Sequence, residues 1–236
     1  MKKAAILFIT LLSGVFLNSC LLDSVKGDGN VTEEAIEVDN FKKLDVSRGM
    51  NVYINQGPET KVVLIADQNL HKHIDIWVDK EELNVTTTKM LRNAKMLKVQ
   101  ISVPDLEQIK TSSGSNVFAD STLKLGDLKL KATAGSNIRL TIEAGNAEIA
   151  ANAGSNIFLG GHANSVSVKT SSGANVKAAE LTTENAEIRA SSGANIWMKV
   201  NKTLKARVSS GANFFYTGEP SGTEIEKSSG GNVIKN

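Results

Sequence analysis

A glycine returns along the second half of this chain at positions 114, 135, 154, 173, 193, 211 and 230, with spacings of 21, 19, 19, 20, 18 and 19 residues. Each return sits in one phrase. It reads Ser112-Ser113-Gly114-Ser115-Asn116-Val117, then Thr133-Ala134-Gly135-Ser136-Asn137-Ile138, then Asn152-Ala153-Gly154-Ser155-Asn156-Ile157. Further copies start at Ser171, Ser191, Ser209 and Ser228, and a relative, Gly49-Met50-Asn51-Val52, stands near the N-terminus. A period near 20 residues restricts a chain to stacked architectures, in which each unit buries its apolar face only against its neighbours.

Apolar and polar residues alternate on both sides of the phrase, as in Leu128-Lys129-Leu130-Lys131-Ala132 and Ile138-Arg139-Leu140-Thr141-Ile142. Period-two alternation predicts strands with one buried face. The phrase between them predicts a turn, because Gly permits positive φ and Asn tolerates left-handed backbone. Five residues before the glycines, Ile109, Leu130, Ile149, Val168, Ile188, Ala206 and Ile225 form one apolar column. Three residues after them, Val117, Ile138, Ile157, Val176, Ile196, Phe214 and Val233 form another. The expected fold is all-β: a right-handed parallel β-helix-like solenoid with rungs of about 19–20 residues, of two or three strands each. The column Asn116, Asn137, Asn156, Asn175, Asn195, Asn213 and Asn232 predicts structural turn residues whose amides bond from rung to rung; ligand binding is the alternative role.

The chain before the repeats is organised differently. Residues 36–104 carry strand-like runs at Lys43 to Val46, Val52 to Ile54, Lys61 to Ala66, His73 to Val78, Leu83 to Thr88 and Lys98 to Val103. They predict a β cap over one end of the solenoid of residues 105–236, since an open terminal rung exposes strand edges. Residues 36–236 are expected to be one continuous domain. Residues 20–35, small, polar and charged, read as a tether.

Met1-Lys2-Lys3 and the apolar stretch Ala4 to Leu17 read as a signal peptide of residues 1–19, too short for a membrane-spanning helix. The sole cysteine, Cys20, excludes an intrachain disulfide. Leu17-Asn18-Ser19-Cys20 resembles a bacterial lipobox, which implies cleavage after Ser19, lipidation of Cys20 and an exported protein held at the cell envelope by its lipid. The expected location is the outer membrane, on either face. Without residues 1–19, Lys+Arg falls from 27 to 25 against 25 Asp+Glu. This balance argues against nucleic acid as a partner.

The phrases Phe41-Lys42-Lys43-Leu44-Asp45-Val46, Gly49-Met50-Asn51-Val52-Tyr53-Ile54 and Val103-Pro104-Asp105-Leu106, with the Gly-x-Asn turns, resemble the auto-transporter adhesin, head GIN domain family of bacterial exported proteins. The resemblance covers residue 36 onward. It implies a β-helix-like domain on exported, often lipid-anchored proteins, and it carries no catalytic residues. No translocator barrel is evident in this chain.

Two outward columns are candidate functional surfaces. Four residues after the glycines stand Phe118, Arg139, Phe158, Lys177, Trp197 and Phe215, four of them aromatic in a chain with only 5% aromatic residues. Either the protein's own chain or a second protomer covers them, or they form a platform for a glycan or an anionic polymer. Four residues before the glycines, Lys110, Lys131, Lys169, Arg189 and Arg207 make a basic stripe, interrupted by Ala150. His71, His73 and Asp75 would share one face of a strand and could hold a metal; a solvated strand face is the plainer reading, and no metal or cofactor is expected. His162 reads as an exposed turn residue. Six residues before the glycines, Lys129, Glu148, Glu187, Lys205 and Glu224 alternate in sign, which suits a salt-bridged face more than the paired acids of a glycan-cleaving enzyme. The expected function is therefore a non-enzymatic envelope lipoprotein that binds a glycan or another envelope protein. A self-assembling structural protein, with homo-oligomers, is the alternative, followed by a polysaccharide-processing enzyme.

Overall fold

The computed structural model describes residues 23–236; the leader and Cys20 lie outside them. At every repeat, two consecutive residues take positive φ: the glycine and the residue before it, as in Ala134 (50°) with Gly135 (70°) and Ser172 (53°) with Gly173 (70°). The chain closes over them with a hydrogen bond from the residue after the glycine to the residue two before it, as from Ser136 N–H to the Thr133 carbonyl at 3.2 Å. This is a tight turn with two left-handed central residues, used here as a corner between strands that pair with other rungs and not with each other. The left-handed positions thus fall on Ser or Ala and Gly, not on Asn, which starts the next strand.

Before the repeats come β1 (Ser24–Lys26), β2 (Val31–Ile36), β3 (Lys43–Val46), β4 (Asn51–Gln56) and β5 (Lys61–Asp67). A 3-10 helix, Gln68–His73, leads to β6 (Ile74–Asp79), β7 (Glu82–Thr87), β8 (Met90–Arg92) and β9 (Leu97–Val103). The repeats supply β10 (Gln108–Thr111), β11 (Asn116–Leu125), β12 (Leu128–Ala132), β13 (Asn137–Ala151), β14 (Asn156–Thr170) and β15 (Asn175–Ala190). The chain ends with β16 (Asn195–Val208), β17 (Asn213–Thr217), β18 (Gly222–Lys227) and β19 (Asn232–Lys235). Parallel pairing from rung to rung makes a β-solenoid of about seven turns. The two predicted apolar columns pair in register and are buried as far as Ala206 and Phe214; in the last rung Ile225 is 37% exposed. Full burial of one such Ile or Leu is worth about 1.5–3 kcal/mol.

The rungs are not stacked in chain order. β3 and β4, joined through Gly49, form a rung that pairs with β10 and β11 on one side and with β7 and β9 on the other. The region expected to be only a cap therefore supplies two rungs. Closure comes from antiparallel strands: β5 on β9, β2 on β5, and β6 on β7. From β2 to β19 this side of the stack crosses ten strand spacings, about 48 Å.

Residues 24–36 correct the tether expectation. β1 pairs in parallel with β8, and β2 is the outermost strand of the cap. The intervening loop is fixed by Asp67, a fully buried carboxylate that accepts hydrogen bonds from the backbone N–H groups of Gly29 (2.9 Å), Lys95 (3.0 Å) and Met96 (3.1 Å). Burial alone would push this carboxyl up, but those three amides and the Lys95 charge outweigh it and hold it below the usual carboxylate range. A depressed folded-state pKa stabilises above the unfolded value of about 3.9 and is lost as pH falls through the folded one. Amide hydrogen exchange at residues 27–30 and 93–96 should therefore accelerate in acid below about pH 4, while that of β13 and β14 stays slow. Asp67→Ala should show the same local opening at neutral pH; unchanged exchange there would mean that β-pairing alone holds the loop.

Candidate functional site

The asparagine column forms a continuous ladder. Each Nδ2 donates to the Oδ1 of the preceding rung: Asn116 to Asn51 (2.8 Å), Asn137 to Asn116 (2.7 Å), Asn156 to Asn137 (2.9 Å) and Asn175 to Asn156 (2.9 Å). Asn195 (3.0 Å), Asn213 (2.9 Å) and Asn232 (3.0 Å) continue it, and Asn51 ends it on the Leu97 carbonyl at 3.1 Å. These amides are committed to one another.

Two residues further along each strand lies the aromatic column. Register places Tyr53, Phe118, Arg139, Phe158, Lys177, Trp197, Phe215 and Ile234 in one line on the outer face. Its five aromatic residues are half-buried, whereas Arg139 and Lys177 are exposed. Trp197 and Phe215 stack at 5.4 Å with ring planes 8° apart, and Tyr53 lies 5.1 Å from Phe118. Arg139 and Lys177, from the rungs on either side, sit over the Phe158 ring at 4.5 and 5.2 Å, and Lys98 caps Tyr53 at 4.3 Å. The spacing follows the rungs, so ring faces look along the stack at neighbours and ring edges point outward. The spacing of the sequence places the column, including Tyr53 and Ile234 four residues after Gly49 and Gly230; it carries no information on ring orientation, and the contact of Lys98 with Tyr53 emerges only from the structure. Beside the column a hollow of about 340 Å³ is lined by Arg139, Thr141, Phe158, Gly160, Lys177 and Glu180. A register shift between β14 and β15 after Phe158 accompanies it.

The basic stripe also falls in register on the other outer face, from Lys110 through Lys131, Ala150, Lys169 and Arg189 to Arg207. Its ends are neutralised. Lys110 binds Glu82 at 2.6 Å, Arg189 binds Glu187 at 2.7 Å, and Arg207 binds Glu226 at 2.8 Å. Lys131 and Lys169 have no carboxylate within 4 Å among the described residues. Asp45 precedes Lys110 in this column, and burial, then Glu82, push its carboxyl up against the opposing pull of Lys110 and Lys131. The neighbouring alternating column pairs Lys129 with Glu148 and Lys205 with Glu224, so that face is salt-bridged.

The His71, His73 and Asp75 set is not on one strand. Both histidines belong to the 3-10 helix, and only Asp75 is in β6. His71 Nδ1 instead meets Glu34 at 2.8 Å. Among the described residues no group of His, Cys, Asp and Glu could hold a metal, and no helix is long and apolar enough to cross a membrane. His162 is exposed and contacts Asn164 at 3.3 Å.

These features define a capped β-solenoid carrying one continuous outward line of aromatic and cationic side chains. Residues 40–220 match the family described as putative auto-transporter adhesin, head GIN domain, and the chain belongs to that family. It is similar to the crystal structure of a putative adhesin from Bacteroides fragilis, with a TM-score of 0.82 and 20% identity over 90% of this chain and 99% of that one. A putative adhesin from Parabacteroides distasonis gives 0.74 and 20% over 91% and 100%. A protein from the same species described as a putative lipid binding protein gives 0.73 and 15% over 90% and 99%. Identities this low speak for the fold alone. No curated protein matches the chain.

Proposed function

We propose that this protein is a non-enzymatic adhesin of the cell envelope, exported, anchored through a lipid on Cys20, that binds an extended anionic glycan along its aromatic column. The observation that carries the reading is the unbroken line from Tyr53 to Ile234, in which Arg139 and Lys177 are exposed cations flanking Phe158. With ring faces engaged inside the column, what remains for a ligand is positive ring edges and two cations. That combination suits acidic sugars better than neutral sugars laid flat on a ring. The repeat spacing of the line suits a polymer, and family membership among proteins described as adhesins agrees with binding rather than turnover.

Arg139→Ala combined with Lys177→Ala should lower retention on acidic polysaccharide about tenfold or more at low salt, as two desolvated cation contacts would. Folding should be little changed, because both side chains are exposed. Array and affinity-column measurements decide it: equal retention of parent and double variant on every acidic glycan would remove this reading.

A further inference from the structure

The body of the protein is fixed from Ser24 onward, and this limits how far it can stand from an anchor at Cys20. Three residue steps separate Cys20 from Asp23, so their Cα atoms lie within about 11 Å of each other. Whatever surrounds β1 must then sit beside the bilayer.

What surrounds β1 is suited to that place. Ser24, Val25 and Lys26 pair with Met90, Leu91 and Arg92. Val25 and Leu91 turn inward and pack against the core. Alternation sends Met90, Lys26 and Arg92 to the opposite face. Met90 is 50% exposed, and Met96, a few residues on, is 41% exposed; they are two of five large apolar side chains exposed among the described residues. Lys26, Arg92 and Lys95 are exposed and have no carboxylate within 4 Å among the described residues, whereas Lys89 is neutralised by Asp23 at 2.7 Å. Flexible methionines beside exposed cations without a close carboxylate fit an irregular interface of anionic headgroups and upper acyl chains.

We infer that the β1–β8 sheet and the loop to Met96 form a foot that rests on an anionic phospholipid surface, with the solenoid rising from it and the β18–β19 rung farthest away. The inference rests on the lipid-anchor reading and adds a second contact, with the bilayer itself, to the acyl chains. The foot lies at the capped end, because β8 joins β7 to β9 in the outermost rung.

The test uses the full chain produced in a bacterial host and purified with its membrane modification. It is placed in vesicles of phosphatidylcholine with or without phosphatidylglycerol, and an amine-acylating reagent is read lysine by lysine with mass spectrometry. Phosphatidylglycerol should slow acylation of Lys26 and Lys95 about fivefold, as close approach to anionic headgroups requires, and leave Lys131 and Lys227 unchanged. Arg92→Glu should abolish most of that protection. The mass of the N-terminal peptide separately reports lipid on Cys20. Lipid on Cys20 with unaltered Lys26 and Lys95 rates would overturn the foot and leave the anchor standing. Slowing of all four lysines would mean that the molecule lies along the bilayer, which also overturns the foot. Absence of lipid from Cys20 would overturn both readings.

Discussion

Gly161→Ala is expected to destabilise the protein by about 3 kcal/mol or more. Gly161 has a φ of 100°, and a Cβ there would collide with the backbone carbonyl of Ile142 in the rung below. The obstacle is main chain inside a paired ladder, which cannot step aside without breaking its own hydrogen bonds. Gly173→Ala is the control. Its φ is also positive, at 70°, but nothing lies within 4 Å of the added carbon. The cost there should be about 1–2 kcal/mol, the strain of left-handed backbone alone. Urea unfolding of the two variants separates the effects; equal losses would show that strain and not collision governs these positions.

Asn175→Ala, in the middle of the amide ladder, should cost about 2–3 kcal/mol. The substitution removes the donor to Asn156 Oδ1 and the main acceptor of Asn195 Nδ2, which keeps only a long 3.5 Å contact to the Gly193 carbonyl, and so breaks the ladder in two. Asn175→Asp should be at least as damaging at neutral pH. Its carboxylate can still accept from Asn195 but faces the Asn156 oxygen with a second oxygen. Denaturant midpoints check both, and a loss below about 0.5 kcal/mol for the alanine variant would mean that the ladder merely follows the backbone.

The repeats were legible because each rung repeats the same constraint. Two left-handed residues, an inward aliphatic on each side and an outward Asn return together, so glycine spacing alone brings Ile138 under Ile157 and Asn137 under Asn156. The stacking order near the N-terminus left no such mark. Alternation in Lys43 to Val46 and Leu83 to Thr88 says that both are strands; it does not say that β3 is inserted between β7 and β10. That order depends on long-range pairing. Residues 24–36 leave no strand signature in the sequence for a related reason. β1 and β2 bury little apolar surface and are held by backbone pairing and by Asp67, whose partners Gly29, Lys95 and Met96 are distant in the chain. The outward columns were legible as positions, because register follows from the period. Which stripe remains cationic was not: the acids that neutralise Lys110 and Arg207 come from Glu82 and Glu226, in other rungs.

β13 and β14 pair from Asn137 with Asn156 to Ala151 with Thr170, passing over only Gly145 and Asn164, without a change of register. Every partner is separated by the same number of positions, so this segment behaves as an interchangeable module. Duplicating or excising one such unit returns each aliphatic, amide and turn to an equivalent neighbour. Only the height of the molecule changes, by about 4.8 Å for each unit. The cap and the last rung need not change at all. A lineage built on this plan can adjust how long its outward aromatic column runs by unequal recombination within a coding repeat, without having to invent a new fold or a new core.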